Sequence, residues 1–505
     1  MPGNDTPSRP NVLVIYTDDQ PQEWVGCYGG DVLTPNIDRI AEEGVRFDRY
    51  YASSPVCSPS RYSALTGRYA SRSERLQRDC PPGTYPNVDW AAGVAGETDT
   101  VASVLSADGY TTGFVGKWHQ GVDADIESIP ADADGRDPET ARTIRRNYER
   151  LVDQVERCGF DDARHVYPAN VFGWELPEAM ERHNMEWVTE GALEFLDANH
   201  EDPFCLVMAP TLTHDPWERE QLEADPRITP AGYLDEPPDV QPSRESVLER
   251  VAAAPETSRE PSDAEHPAFM TESEVQMGRA FATWLDDGVG AVLDRLDSLG
   301  IAEETLVIFT SDHGNRGKFT CYDAGARQPC LARWPAVLEP RDPETDLVSN
   351  VDIAPTLFDL AGVDPGNDYT VDGRSFAPLL TGSSEYDRES LYLEMTTERA
   401  VVTDDNWKYI AVRYPPEIQK RVDAGEQFTH WGVRYDGDVH HTYGADEDFP
   451  AYFDQDQLYD LDTDPHEQHN LADDPAHADR LKQLREQLRG YCDALPHEFA
   501  EFTDS

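Results

Sequence analysis

Three uninterrupted apolar runs, each closed by ionisable residues, constrain this chain more than any other feature of its 505 residues. Asn11-Val12-Leu13-Val14-Ile15-Tyr16 ends in Thr17-Asp18-Asp19-Gln20. The run from Pro203 to Pro210 delivers Thr213-His214-Asp215-Pro216, and Leu306-Val307-Ile308-Phe309-Thr310 ends in Ser311-Asp312-His313-Gly314. A short apolar run without polar alternation reads as a strand covered on both faces, as in the parallel sheets of α/β proteins. Ligands of such sheets gather beyond the carboxyl ends of the strands. A fourth strand, Thr111 to Gly116, brings Lys117 and His119 to its end. Asp18 and Asp19 are adjacent carboxylates, which repel one another unless a cation neutralises them.

Between the strands, Thr34-Pro35 opens a helix that Gly44 stops, and Thr100 to Gly109 and Ser349 to Gly362 read as capped helices. Val45 to Tyr51 alternates as a strand, and a helix is expected from about Ser60 to Gly67. Residues 121–150 read as an exposed, irregular insertion. Residues 218–268, rich in Pro, Asp, Glu and Arg, read as a long loop that acts as a lid over a substrate pocket. A polar stretch near 384 divides the chain into a catalytic domain, 1–383, and a smaller domain, 384–505. The smaller domain holds short antiparallel strands (391–394, 400–403, 407–412) and a helix over 476–493. Trp431, Arg434, His440 and His441, within 415–455, are candidates for substrate contact.

Acidic residues outnumber basic ones by 98 to 42, a net charge of −56 spread along the chain. Nucleic acid is excluded as a partner, because phosphate backbones require Lys/Arg patches. At low salt such a charge strains a compact fold. At a Debye length of roughly 3 Å, near 1 M salt, the repulsion is screened, so the composition reads as halophilic. Only five lysines occur, and Lys117 and Lys318 each follow a strand end. A lysine is a compact point charge suited to an oxyanion. Eight scattered cysteines without metal-ligand spacing, no leader-like apolar region and no run of about eighteen apolar residues lead to the expectation of a cytoplasmic protein without a membrane partner. Cys321 and Cys330 are expected to be free thiols in a reducing compartment.

The stretch Cys57-Ser58-Pro59-Ser60-Arg61-Tyr62-Ser63-Ala64-Leu65-Thr66-Gly67-Arg68 combines a thiol, a rigid turn and two cations. It resembles the maturation signature of the type I, formylglycine-dependent sulfatases, members of the alkaline-phosphatase-like superfamily. Gly116-Lys117-Trp118-His119, the histidine before a proline at His214, Ser311-Asp312-His313-Gly314 with Lys318, and Asp464-Pro465-His466-Glu467 fit the same family. The resemblance implies a large mixed, mainly parallel sheet sandwiched by helices, with a smaller C-terminal domain of short antiparallel strands and a helix.

It also implies an activity: hydrolysis of sulfate monoesters of a carbohydrate or an aryl alcohol. Cys57 would be oxidised by a formylglycine-generating enzyme to an aldehyde, whose hydrate carries two hydroxyls where a thiol is a poor nucleophile. Asp18, Asp19, Asp312, His313 and residue 57 would hold one divalent cation, Ca2+ ahead of Mg2+. A ring nitrogen is an unusual ligand for a hard cation, which leaves the ion open. Arg61, Lys117, His214 and Lys318 would surround the sulfate. His214 or Lys318 would protonate the leaving alcohol, and His119 would be the base that expels sulfate. Two alternatives remain at this stage: a phosphonate monoester or phosphodiester hydrolase of the same superfamily, and a non-catalytic glycan-binding protein on this scaffold.

Overall fold

The computed structural model describes residues 9–79, 88–96, 98–253, 270–430, 445–497 and 499. In it the apolar runs become the middle of a seven-stranded sheet. Its strands are β1 (Asn11–Thr17), β2 (Val45–Arg46), β3 (Thr111–Lys117), β4 (Asp162–Tyr167), β5 (Phe204–Ala209), β6 (Thr305–Ser311) and β7 (Cys330–Arg333). Their order is β2-β7-β6-β1-β5-β3-β4. The β6-β1, β1-β5, β5-β3 and β3-β4 pairs are parallel, and β7 and β2 are antiparallel at one edge. Thr17 lies opposite Ser311. Five carboxyl ends therefore open on the same side of the sheet.

Both faces are covered, which is why these strands show no polar alternation. Val12, Val14 and Tyr16 pack on one face among residues of helices α2 (Cys57–Thr66), α3 (Val101–Ala107), α4 (Pro138–Arg157) and α7 (Ile353–Ala361). Leu13 and Ile15 pack on the other among α1 (Pro35–Glu42), α5 (Met185–Asn199) and α6 (Glu272–Leu299). Each fully buried aliphatic side chain contributes about 1.5–3 kcal/mol. A charge at Ile15 would have no exposed face to turn to.

Beyond the large sheet, strands β8 (Ser390–Met395), β9 (Glu398–Thr403), β10 (Trp407–Val412) and β11 (Asp456–Asp460) form an antiparallel sheet in chain order. Helix α8 (Ala478–Asp493) lays Leu481, Leu484 and Leu488 on Val401, Tyr409 and Leu458 of that sheet. Among the described residues, no helix is long and apolar enough to cross a membrane. Cys321 and Cys330 are buried free thiols.

Several elements differ from the sequence-based expectation. Residues 121–150 are not irregular throughout, because α4 begins at Pro138. Asp137 caps it by accepting from the Glu139 and Thr140 amides, and Ile144, Leu151 and Val155 form a thin buried stripe on an otherwise polar helix. Within 218–253 lie short helices, Arg219–Glu223 and Val247–Ala253, and the strand pair Ile228–Thr229 and Gly232–Tyr233. The rest of the expected lid, 254–268, lies outside the described residues. Val45 to Tyr51 splits into β2 and a separate strand, Tyr50–Tyr51, in a different sheet. Helix α2 starts at Cys57 rather than near Ser60, since Pro59 occupies the first turn, where its missing N–H costs nothing. The 28-residue α6, with its Thr271/Glu274 capping box and Gly300 stop, adds a helix to the elements expected from the sequence. Trp431, Arg434, His440 and His441 lie outside the described residues.

Candidate active site

The site is assembled from strand ends. Asp18 and Asp19 follow β1, and Asp312 and His313 follow β6. The Asp312 amide donates to the Thr17 carbonyl at 3.2 Å, and the Asp19 amide donates to Asp312 Oδ1 at 3.1 Å. The loop after β5 is stitched to the same point, with the Asp18 amide donating to Leu212 O at 3.0 Å and the Thr213 amide to Asp18 O at 2.7 Å. That loop carries His214. Lys117 is the last residue of β3. All three carboxylates are fully buried.

Cys57 is the first residue of α2, a ten-residue helix whose amino end faces this cluster. Its Sγ lies 3.2 Å from His313 Nε2 and 3.7 Å from Asp18 Oδ1. Burial opposes ionisation of the thiol, but the Lys117 and Lys318 charges hold it well below the ordinary cysteine range. Four residues on, one helical turn away on the same face, Arg61 reaches Asp312 Oδ2 through Nε at 3.0 Å and through Nη2 at 2.9 Å. Its Nη2 also lies 3.6 Å from Asp18 Oδ1.

The cations interleave with the carboxylates. Lys117 Nζ donates to Asp18 and Asn170. Lys318 Nζ donates to both oxygens of Asp19, at 3.0 and 2.8 Å, and lies 3.2 Å from His214 Nε2. His214 Nε2 is 3.3 Å from Asp19 Oδ2, and its Nδ1 is 2.7 Å from Asp215 Oδ1. Burial alone would raise Asp18 and Asp19, yet Lys117 at the first and Lys318 at the second hold both far below the usual carboxylate range. Asp312 goes the other way. Burial, with Asp18 adding to it against the pull of His313 and Arg61, pushes it up to about 7.

His119 is a further neighbour of Cys57, and its buried Nδ1 has no hydrogen-bond partner among the described residues. Burial and the Lys117 charge push its imidazole down to about 4, so the ring is neutral at pH 7. Asp19 and His119 have φ of 54° and 48°, in the left-handed region that non-glycine residues seldom occupy. Such strain gathers where the surroundings over-determine a functional geometry.

The donor set fits a divalent cation. Asp18, Cys57, Asp312 and His313 offer ligand atoms within 4.8 Å of one another, and so do Asp18, Asp19, Cys57 and His214. Buried carboxylates converging on one point are a hard oxygen environment. His313 Nδ1 lies 3.0 Å from the Gly314 carbonyl, which turns Nε2 toward Asp19 Oδ1 at 2.9 Å. With burial opposing, Asp19 and Asp312 raise this imidazole to about 10. The ring is thus placed for either a proton or a cation to bridge it to Asp19.

Every residue that the sequence nominated for the site, from Asp18 to Lys318, meets in this one cluster. Several that matter were not nominated. Asn170 shares the Lys117 ammonium. It follows β4 as Asp18 follows β1, so its position beyond a strand end was the available signal. Asp215 orients His214. Asn350 Nδ2 donates to Ser60 O at 3.0 Å and lies 2.9 Å from Ser60 Oγ, which itself meets Tyr16 Oη at 2.9 Å. This network fixes the first turn of α2.

The family description "Sulfatase" matches residues 10–363, and "N-sulphoglucosamine sulphohydrolase, C-terminal" matches residues 311–425. The chain is 29% identical to a steryl-sulfatase of Rattus norvegicus, over 96% of this chain and 89% of that protein. It is 26% identical to an N-acetylgalactosamine-6-O-sulfatase of Bacteroides thetaiotaomicron, over 95% of this chain and 92% of that protein. A structure solved in a study of glycosaminoglycan metabolism by Bacteroides thetaiotaomicron superposes with a TM-score of 0.63 at 24% identity, covering 96% of this chain and 99% of that one.

Proposed function

This chain belongs to the sulfatase family, and from that premise we propose that it hydrolyses sulfate monoesters at the cluster around Cys57, with a sulfated carbohydrate as the preferred substrate class. The observation that carries the reading is the placement of Cys57. A single thiol at a helix amino end lies between a carboxylate set suited to a cation and four cationic or imidazole side chains suited to an anion.

Oxidised to formylglycine and hydrated, residue 57 supplies the oxygen nucleophile. Asp18, Asp19, Asp312 and His313 would hold a divalent cation, Ca2+ in our assignment, which would supply charge stabilisation when bound. Lys117, Lys318 and Arg61 form a fixed positive wall for the sulfate oxygens, aimed where charge develops in the transition state. His214, held by Asp215 at Nδ1, keeps Nε2 directed into the site and gives a proton to the departing alcohol. His119, neutral and facing residue 57, accepts a proton from it.

The test compares hydrolysis of an aryl sulfate with that of an aryl phosphonate near 1 M salt. Sulfate is expected to be the faster substrate, and Cys57→Ser to fold normally and lose turnover. Faster phosphonate cleavage, or full activity in Cys57→Ser, would overturn the reading.

A further inference from the structure

Beside the catalytic cluster opens a cleft of about 230 Å3, lined by Arg75, Arg78, Trp90, Ala91, Gln120 and Gly121. Two of its walls touch the backbone or the chain neighbours of the catalytic residues. Gln120 Nε2 donates to the carbonyl of Ser58, next to Cys57, at 2.8 Å, and to the carbonyl of His119 at 3.1 Å. Trp90 meets Phe319, the neighbour of Lys318, edge to face at 4.8 Å between ring centroids.

The lining is the reverse of the molecule's overall character. In a chain of net charge −56, the described residues lining this cleft include two guanidiniums and no carboxylate. Arg75 Nη1 is paired with Asp123 Oδ1 at 2.6 Å, while its Nη2 lies over Gly121, where a Cβ would come within 2.4 Å of it. A side chain at 121 would displace the guanidinium, so the glycine keeps Arg75 flat against the cleft floor. Arg78 is exposed, and no ion pair engages it among the described residues. A guanidinium fork matches the planar or tetrahedral oxygens of carboxylate and sulfate. Trp90 adds a broad apolar surface for a sugar ring.

We propose that this cleft is a subsite for a second anionic group, carried by the saccharide whose scissile sulfate lies at Cys57. The substrate class is then a polyanionic glycan rather than a singly sulfated alcohol. This rests on the sulfatase reading above.

Three disaccharides with the same scissile sulfate test it: one with a second sulfate on the neighbouring sugar, one with a uronate there and one neutral there. The protein with residue 57 matured is expected to favour a charged substrate in kcat/KM by about tenfold or more, the size of one charge-assisted contact. The preference should collapse in Arg75→Ala/Arg78→Ala and shrink in Arg78→Gln, which alters only an exposed side chain, with the change falling mainly on KM. Preference for the second sulfate alone or the uronate alone identifies the anion. Equal rates on all three, or a preference that survives both variants, would overturn the proposal. Should none of the three be hydrolysed, the sulfatase reading fails. Calorimetric titration with the disulfated disaccharide then decides the cleft separately: binding lost in Arg78→Gln retains it as an anion site, and binding unchanged in Arg78→Gln rejects it.

Discussion

Arg61 and Asp312 form a buried pair, with Nε and Nη2 both on Oδ2 at 3.0 and 2.9 Å, that clamps the helix bearing Cys57 to the end of β6. Neither side chain is more than 3% exposed. The pair is both a structural tie and part of the anion wall, so its loss acts on folding and on turnover together. Removing one member of a buried pair costs about 3–5 kcal/mol, because the other charge is left uncompensated. Arg61→Ala is expected to lose that much in urea unfolding and to lose activity. Arg61→Lys keeps the charge without the fork and should recover part of the stability and little of the rate. A loss below about 1 kcal/mol, the range of exposed pairs, would contradict the clamp.

The converging carboxylates predict a stability linked to metal. Asp18, Asp19 and Asp312 share one buried space, so a cation that binds only the folded state raises the melting temperature, by the equivalent of about 2.7 kcal/mol at a hundredfold excess over Kd. Chelator should lower Tm and abolish turnover, and readdition of Ca2+ should restore both. Restoration by Mg2+ and not by Ca2+ would correct the ion. An unchanged Tm under chelation would remove the cation from the account.

A net charge of −56 predicts strong dependence on ionic strength. Circular dichroism melts should show Tm rising steeply as KCl climbs toward about 1 M, where the Debye length falls to roughly 3 Å. Sucrose of matched osmolarity should not reproduce the rise. A Tm flat in KCl would show that the acidic surface is an ornament rather than an adaptation.

His183 predicts a pH effect on stability. It is 1% exposed, with Nδ1 at 2.7 Å from Thr211 Oγ1, and burial, with the His214 charge adding to it, pushes it down to about 3. The folded protein therefore holds His183 neutral, while the unfolded chain takes up a proton near pH 6.5. Its contribution is complete above about 6.5 and is lost as pH falls from there toward 3. Urea unfolding at a series of pH values should show a shallower acid slope in His183→Gln than in the wild type. Parallel curves would assign the acid sensitivity elsewhere.

The strand ends were legible because burial on both faces leaves an unmistakable mark: Val12 to Ile15 and Leu306 to Phe309 contain no polar residue that a one-sided sheet would require. Cys57, Asp18, Asp312 and Lys318 could be named because motif chemistry travels with those ends. Helix α4 was hidden by its polarity, since Ile144, Leu151 and Val155 are too sparse a stripe to stand out among arginines and glutamates. Asn170, Asn350 and Gln120 act through contacts between residues far apart in sequence, such as Asn350 to Ser60 across |i−j| of 290, which no local pattern carries. The Arg75 and Trp90 cleft was invisible for the same reason. Its neighbours along the chain say nothing of the Gln120 wall that links it to Cys57.

The central claim is that residue 57 works as an aldehyde. The most direct measurement is mass spectrometry of the tryptic peptide from Tyr50 to Arg61, taken from protein purified from its native host. The account predicts a peptide lighter than the cysteine form by the exchange of a thiol for a carbonyl, and reactive toward a hydrazide. An unmodified Cys57 that alkylates quantitatively in catalytically active protein would contradict it.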